Sequence, residues 1–195
     1  MIRFAMTVVL GGSRNLNHVP AEVQLRLDAW IEADVNFVVG DASGVDTVFQ
    51  RWLMEHGYTR VRVFSSAPEV RNNLGPWPVE HVDSGLKSRG SAMHAAKDRE
   101  MTRIADEGLM LWDGESTGTL ANVLDLAAQE KDAYLYLAPQ AELFRFESGL
   151  GLLEWAREYP EALAQAQTRL KQFAKRQAKA LGATDPSPTL FDEAE

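Results

Sequence analysis

Cysteine is absent from the chain. That excludes disulfide staples, thiolate catalysis and cysteine-ligated metal, and it fits a cytoplasmic setting. Histidine is sparse. His18, His56, His81 and His94 show no metal-ligand spacing, so core or surface roles are the simpler expectation and no metal is expected. No apolar run approaches the roughly 20 residues of a membrane span. Met1-Ile2-Arg3-Phe4 leads straight into a strand-like segment without the pattern of a cleaved leader. A Walker run and a full Gly-x-Gly-x-x-Gly are both missing, which disfavours ATPases of that class and dinucleotide dehydrogenases. The net charge of −8 weighs against general nucleic-acid binding, although a local patch can override it.

What is present is an alternation of strand and helix character. Apolar runs at 4–10, 36–39, 61–64, 108–112 and 133–137 read as strands. Helical periodicity covers 20–33, 46–56, 92–106 and about 117–130. Pro20 suits a helix start, and Gly57 suits a helix stop. This order predicts an α/β fold with a Rossmann-like parallel sheet of about five strands and helices on both faces. The stretch 65–91 breaks the rhythm with Pro68, Gly75, Pro76, Pro78, Gly85 and Gly90. It reads as a long functional or mobile loop. The nucleotide-type domain would cover 1–138, a helical extension 150–181, and a flexible acidic tail 182–195. In the extension, Leu152, Ala156, Tyr159, Leu163, Ala166, Leu170 and Phe173 form one apolar stripe. Such a stripe packs on its own domain or on a second copy, so a homo-oligomer is one expectation. Arg169, Lys171, Lys175, Arg176 and Lys179 fall on the opposite face and read as solvated. Leu190-Phe191 in the tail is a candidate docking motif or a plain chain end.

Two glycine-bearing turns carry the chemistry. Gly11-Gly12-Ser13-Arg14 follows the first strand, and Asp113-Gly114-Glu115-Ser116-Thr117-Gly118-Thr119 follows the fourth. Glycine lets backbone approach a ligand, and a helix N-terminus offers free N–H groups to an anion. If strands one and four are neighbours, both turns meet in one crevice at the switch point of the sheet. Arg14 is then a phosphate ligand, with a surface ion pair as the alternative. Asn122 lies one turn into the helix that starts at Thr117. Gly40-Asp41-Ala42-Ser43-Gly44-Val45-Asp46 could hold a ribose or base edge, or Ser43 or Asp46 could cap a helix. Arg71, Asn72 and Asn73, with Lys87, Arg89 and Gly90, could fold over an anion as a lid. Lys97 and Asp98 sit near the start of the helix before the fourth strand, on the crevice side.

Together, Gly11–Arg14, Gly40–Asp46, Lys97 through Met101 and Asp113 through Thr119 resemble the SLOG superfamily of Rossmann-like proteins, over about residues 5–138. That superfamily includes the lonely-guy phosphoribohydrolases, DprA and the YspA/YpsA-like families. The resemblance implies a nucleotide or nucleotide-derived ligand with its phosphate at the Gly118-Thr119 turn. The chain departs from the phosphoribohydrolases. Trp112-Asp113-Gly114 replaces their Pro-Gly-Gly, Ala121 and Asn122 stand where paired glutamates would be, and Lys97 stands at the arginine position.

Three functions follow as expectations. The first is a nucleotide-binding sensor or accessory protein. The second is an N-glycosidic hydrolase or transferase with a relocated carboxylate, for which Asp46 and Asp98 lead, since such cleavage needs a carboxylate near the anomeric carbon. The third is a DprA-like single-strand binder using the basic face of 169–179. No cofactor other than the nucleotide ligand is expected.

Overall fold

The computed structural model describes residues 5–83 and 91–180. The 84–90 part of the expected lid, with Lys87, Arg89 and Gly90, lies outside them, as do the 182–195 tail and its Leu190-Phe191 pair. In chain order the elements are β1 (Thr7–Gly12), α1 (Ala21–Glu32), β2 (Asn36–Gly40), α2 (Val45–Glu55), β3 (Val61–Ser65), β4 (Val79–His81), α3 (Ser91–Ile104), β5 (Glu107–Trp112), α4 (Thr117–Ala128), β6 (Asp132–Leu137), β7 (Glu142–Phe146), α5 (Leu152–Ala156) and α6 (Pro160–Ala180). The strands form one sheet in the order β4-β3-β2-β1-β5-β6-β7. All neighbours are parallel except β6 and β7.

The fold class agrees with the sequence: a mostly parallel α/β sheet plus a C-terminal helix. Val8–Leu10, Phe37–Val39 and Leu109–Trp112 are apolar without interruption and fully buried, as strands must be when both faces are covered. Alternate residues feed two cores. Val8, Leu10, Phe37, Val39, Leu109 and Leu111 pack under α1 and α2, around Trp30, Phe49 and Leu53. Val9, Val38, Met110 and Leu135 pack under α3, α4 and α6, around Leu120, Leu124 and Leu170.

Two edge strands extend the five expected. β4 lies in the segment read as loop, directly after Pro76 and Pro78. It is three residues long, and its pairing with β3 exists only once the chain folds back. The described part of that loop before β4 is anchored to the sheet domain. Trp77 is buried and donates its indole N–H to the Tyr58 carbonyl at 2.9 Å. The Gln50 carboxamide donates to the Gly40 carbonyl at 2.8 Å and accepts from the Leu74 N–H at 2.9 Å. β7 returns antiparallel along β6 and carries Phe144 and Phe146 to a ring cluster with Trp155.

The C-terminal stripe packs within its own chain. Pro160 opens α6, where its missing N–H costs nothing. Ala166 is fully buried and Leu170 nearly so, beside the α4 side chains. Tyr159 and Trp155 close on Trp112, with ring centroids 5.0 and 6.0 Å away. The stripe is therefore largely occupied, which leaves less of it for a second copy. No helix among the described residues is long and apolar enough to cross a membrane. Because Ala166 has no spare space, Ala166→Leu should cost about 1–3 kcal/mol by overpacking. The melting temperature should fall by about 2–4 °C for each kcal/mol. An unchanged melting temperature would mean α6 is not tightly seated on α4.

Candidate functional site

β1 and β5 run parallel and level, with Gly11 opposite Met110 and Gly12 opposite Leu111. The turns that follow them therefore meet. The Ser13 N–H donates to the Leu111 carbonyl at 2.9 Å. The Ser13 hydroxyl accepts the Asp113 N–H at 3.1 Å and lies 3.3 Å from the Thr119 hydroxyl. The Asp113 carboxylate then closes its own turn, accepting the N–H groups of Glu115 and Ser116 at 3.1 and 2.8 Å. Backbone crowding explains two glycines here. A methyl at Gly12 would overlap the Leu111 carbonyl. Gly44 has φ +88°, and a methyl there would stand 2.5 Å from the Cα of Arg14.

Between these turns and α3 lies a cleft of about 460 Å³, a size typical of small-ligand sites. Its floor is apolar, with Leu10, Met101 and Met110. At one end α4 begins. Ser116 precedes its first residue, and its side chain makes no capping bond to the helix. Ser116, Gly118 and Thr119 line the cleft, so the first-turn N–H groups and the positive end of the helix are offered to an anion. Arg14 and Arg169 line the same end. Neither makes an ion pair among the described residues. Burial pulls the Arg169 guanidinium below its ordinary pKa, and the nearby Arg99 and Arg14 add to this against the pull of Asp98. Asn122 completes this end, its carboxamide oxygen held by Arg99.

At the other end sits a buried charge cluster. Lys97 is 3% exposed. Its ammonium is 3.0 Å from Asp98 and 3.7 Å from Asp46. Burial opposes the charge on Lys97, but Asp98 and Asp46 outweigh it and raise the pKa. Asp98 is lowered because Lys97 overcomes the cost of burial. Asp46 moves the other way. Burial raises it, and the Asp98 charge adds to that, despite Lys97 and a 3.0 Å bond from the Ala42 N–H. Gly40 makes room for the cluster, since a methyl there would overlap both the Asp46 carboxylate and the Lys97 ammonium. His94 also lines the cleft. Burial lowers its pKa, Arg71 and Lys97 lower it further, and its buried Nδ1 has no hydrogen-bond partner among the described residues.

Several expected site residues do other work. Asp41 is fully buried and is not part of the cleft lining. Its Oδ1 is paired with the Arg71 guanidinium. Its Oδ2 accepts from the Ser65 hydroxyl at 2.8 Å, the Arg71 N–H at 3.2 Å and the Arg71 Nε at 3.1 Å. Arg71 reaches the cleft wall, but already tied to this carboxylate. Asn72 braces the loop through the Asp41 carbonyl at 2.8 Å. Ser13 is buried and spent on the clasp between the turns. Thr117 bonds Gln165 of α6 at 2.9 Å. Ser43 is exposed, and it and Gly114 lie off the cleft lining. Neither Ser43 nor Asp46 caps α2, which starts after Gly44 without a side-chain cap.

Gly11, Gly12, Arg14, Asp46, Arg71, Lys97, Asp98, Asp113, Ser116, Gly118, Thr119 and Asn122 do come together in the cleft. Arg169 was read as solvated and lines it instead. Lys171, Lys175, Arg176 and Lys179 of the expected basic face are exposed. His94, Asn15 and Met110 were not singled out as site residues, whereas Glu115 belongs to the second glycine turn and also lines the cleft. A helical-wheel reading places Arg169 off the apolar stripe but cannot tell solvent from a cleft. No group of His, Asp or Glu among the described residues is arranged to hold a metal.

Asp41 yields a pH prediction. Hydrogen bonds from Arg71 and Ser65 overcome its burial and bring its pKa down from 3.8 to about 2. A lowered folded pKa stabilises above the unfolded value and is lost as pH falls through the folded one. The contribution, about 2 kcal/mol, should be intact above pH 4 and disappear between about pH 4 and pH 2. Acid unfolding of Asp41→Asn should lack that component. An identical acid profile would contradict it.

In comparisons with protein-family models, curated proteins and solved structures, nothing matches the chain.

Proposed function

We propose that the protein binds a nucleotide or nucleotide derivative by its phosphate, acting as a sensor or accessory factor of the SLOG kind. One observation carries this reading. Two guanidinium groups without ion-pair partners among the described residues, Arg14 and Arg169, converge with the open N-terminus of α4 at the switch point of a mostly parallel sheet. Asp98 is the one carboxylate acting on Arg169 and it is bonded to Lys97, and cations gathered with so little counter-charge favour a bound anion. A phosphate there accepts charge-assisted hydrogen bonds from both forks and from the helix N–H groups. The apolar floor of Met101 and Met110 suits a base or sugar face, and Asp98, Asp46 and His94 offer polar partners for hydroxyls.

A second reading is N-glycosidic cleavage of the bound nucleotide. It is favoured by the two carboxylates at Lys97, whose surroundings push their pKa values apart. Environments that separate two carboxylates in this way assign an acid and an ionised partner. Asp46 would then protonate the leaving base, Asp98 would stabilise the positive charge that develops on the sugar, and a water would bond to the anomeric carbon and give up its proton, yielding the free base and the sugar phosphate.

Thermal denaturation with nucleoside mono-, di- and triphosphates and ADP-ribose tests both. Ligand at 100 times its Kd adds about 2.7 kcal/mol, or roughly 5–10 °C for a domain of this size. The sensor reading expects such a shift with the ligand recovered intact by chromatography. Steady release of free base would make the protein an enzyme, and Asp46→Asn with Asp98→Asn should then abolish the release. If no nucleotide shifts the melting temperature, the binding reading fails.

A further inference from the structure

The phosphate end of the cleft is built from two parts of the chain with different origins. Arg14 and the α4 turn belong to the sheet domain. Arg169 arrives on α6, beyond β7. Its place is fixed by three neighbours on the same helix. Ala166 and Leu170 are buried against the α4 side, and Gln165, one turn before Arg169, is bonded to Thr117. The guanidinium lies over the first turn of α4, where a methyl added at Gly118 would sit 3.8 Å from its central carbon. It is held half-buried beside another cation, at a cost to its own charged form.

The charges at this end are uneven. Arg14 and Arg169 bring two whole positive charges, and the helix terminus adds about half of one. Asp113 uses Oδ1 on its own turn and Oδ2 on Asn15, 3.4 Å away. Asp98 is bonded to Lys97, and Arg99 reaches Asp125 at 3.1 Å. Glu115 is on the exposed rim. A phosphodiester carries one negative charge, whereas a phosphomonoester carries about −1.5 to −2 at pH 7.

We propose that Arg169 is a phosphate-gripping residue supplied by the C-terminal helix, and that with Arg14 it makes the site select a terminal phosphomonoester over a phosphodiester. The proposal rests on the nucleotide-binding reading above. The helical extension is then part of the binding site rather than an appendage to it.

The test is titration calorimetry of the full chain with AMP, GMP, CMP and UMP, their 3′,5′-cyclic counterparts and the nucleosides. Wild type should bind at least one 5′-monophosphate about tenfold or more tighter than its cyclic form. Arg169→Gln should weaken the monophosphate by about 10- to 100-fold, the range expected for one sheltered charge-assisted contact. It should leave the cyclic form and the nucleoside within a few-fold. Arg169→Lys keeps the charge and the packing stem but loses the planar fork. It should lie between the two, and it carries the test if the Gln variant fails to fold. Equal monophosphate affinity in wild type and both variants overturns the role of Arg169. Equal affinity of wild type for the monophosphate and cyclic forms overturns the selectivity. Either result leaves nucleotide binding standing. No binding of any of these compounds to wild type overturns the monophosphate selectivity, and the di- and triphosphates and ADP-ribose of the thermal screen then decide nucleotide binding itself.

Discussion

The Ser13 hydroxyl, between the Asp113 N–H and the Thr119 hydroxyl, ties the end of β1 to the end of β5. The rest of the cleft depends on that junction. Successive strands build outward from β1 to β2, β3 and β4, and the chain then crosses back to place β5 on the other side of β1. Right-handed crossovers put α1 and α2 on one face and α3 and α4 on the other. A crevice must open where the two halves part. Both glycine-bearing turns are joined through the Ser13 side chain. Gly12 and Gly44 permit the close backbone approach, and the Gly44 contact fixes where the chain at Arg14 lies.

Burial sorts the charges around this junction into two kinds. Asp41 with Arg71 is a closed pair, and its carboxylate oxygens are fully satisfied. Desolvating such a pair is costly, and it is tolerated because the geometry returns most of the cost. Its effect is to bind the 65–73 loop to the end of β2. The cations at the α4 end, Arg14 and Arg169, make no ion pair among the described residues. The Lys97 cluster lies between these extremes, with one ammonium shared by two unequal carboxylates. A fold that needed charge only for stability would have closed all three.

The aromatic cluster links the extension to the same junction. Trp112 is the last residue of β5, and its indole N–H donates to the Ser116 carbonyl at 3.0 Å. Its ring meets Tyr159 and Trp155. Packing at the start of α6 is thus in direct contact with the turn that opens α4. The position of Arg169 and the shape of that turn are set by one set of contacts.

By itself the sequence determined the α/β class, the five inner strands, the four flanking helices and the pairing of the two glycine turns, because hydrophobic periodicity and turn chemistry are local properties of the chain. The apolar stripe also marked the helical extension, which the structure divides into α5 and α6. β4 and β7 escaped, since short edge strands draw their stability from a neighbour rather than from a pattern of their own. Within the site, residue type picked out Arg14, Lys97, Asp98 and Asp46 but could not say which polar side chains face the cleft. Asp41 and Asp46 lie at the two ends of the short β2–α2 connection, Asp46 already in the first turn of α2; one is closed off by Arg71, and the other opens on Lys97. Arg169 looked like any surface arginine until α6 docked on α4. Tertiary structure decided these cases because a charged group's role depends on what excludes water from it and what stands opposite, and both come from distant parts of the chain.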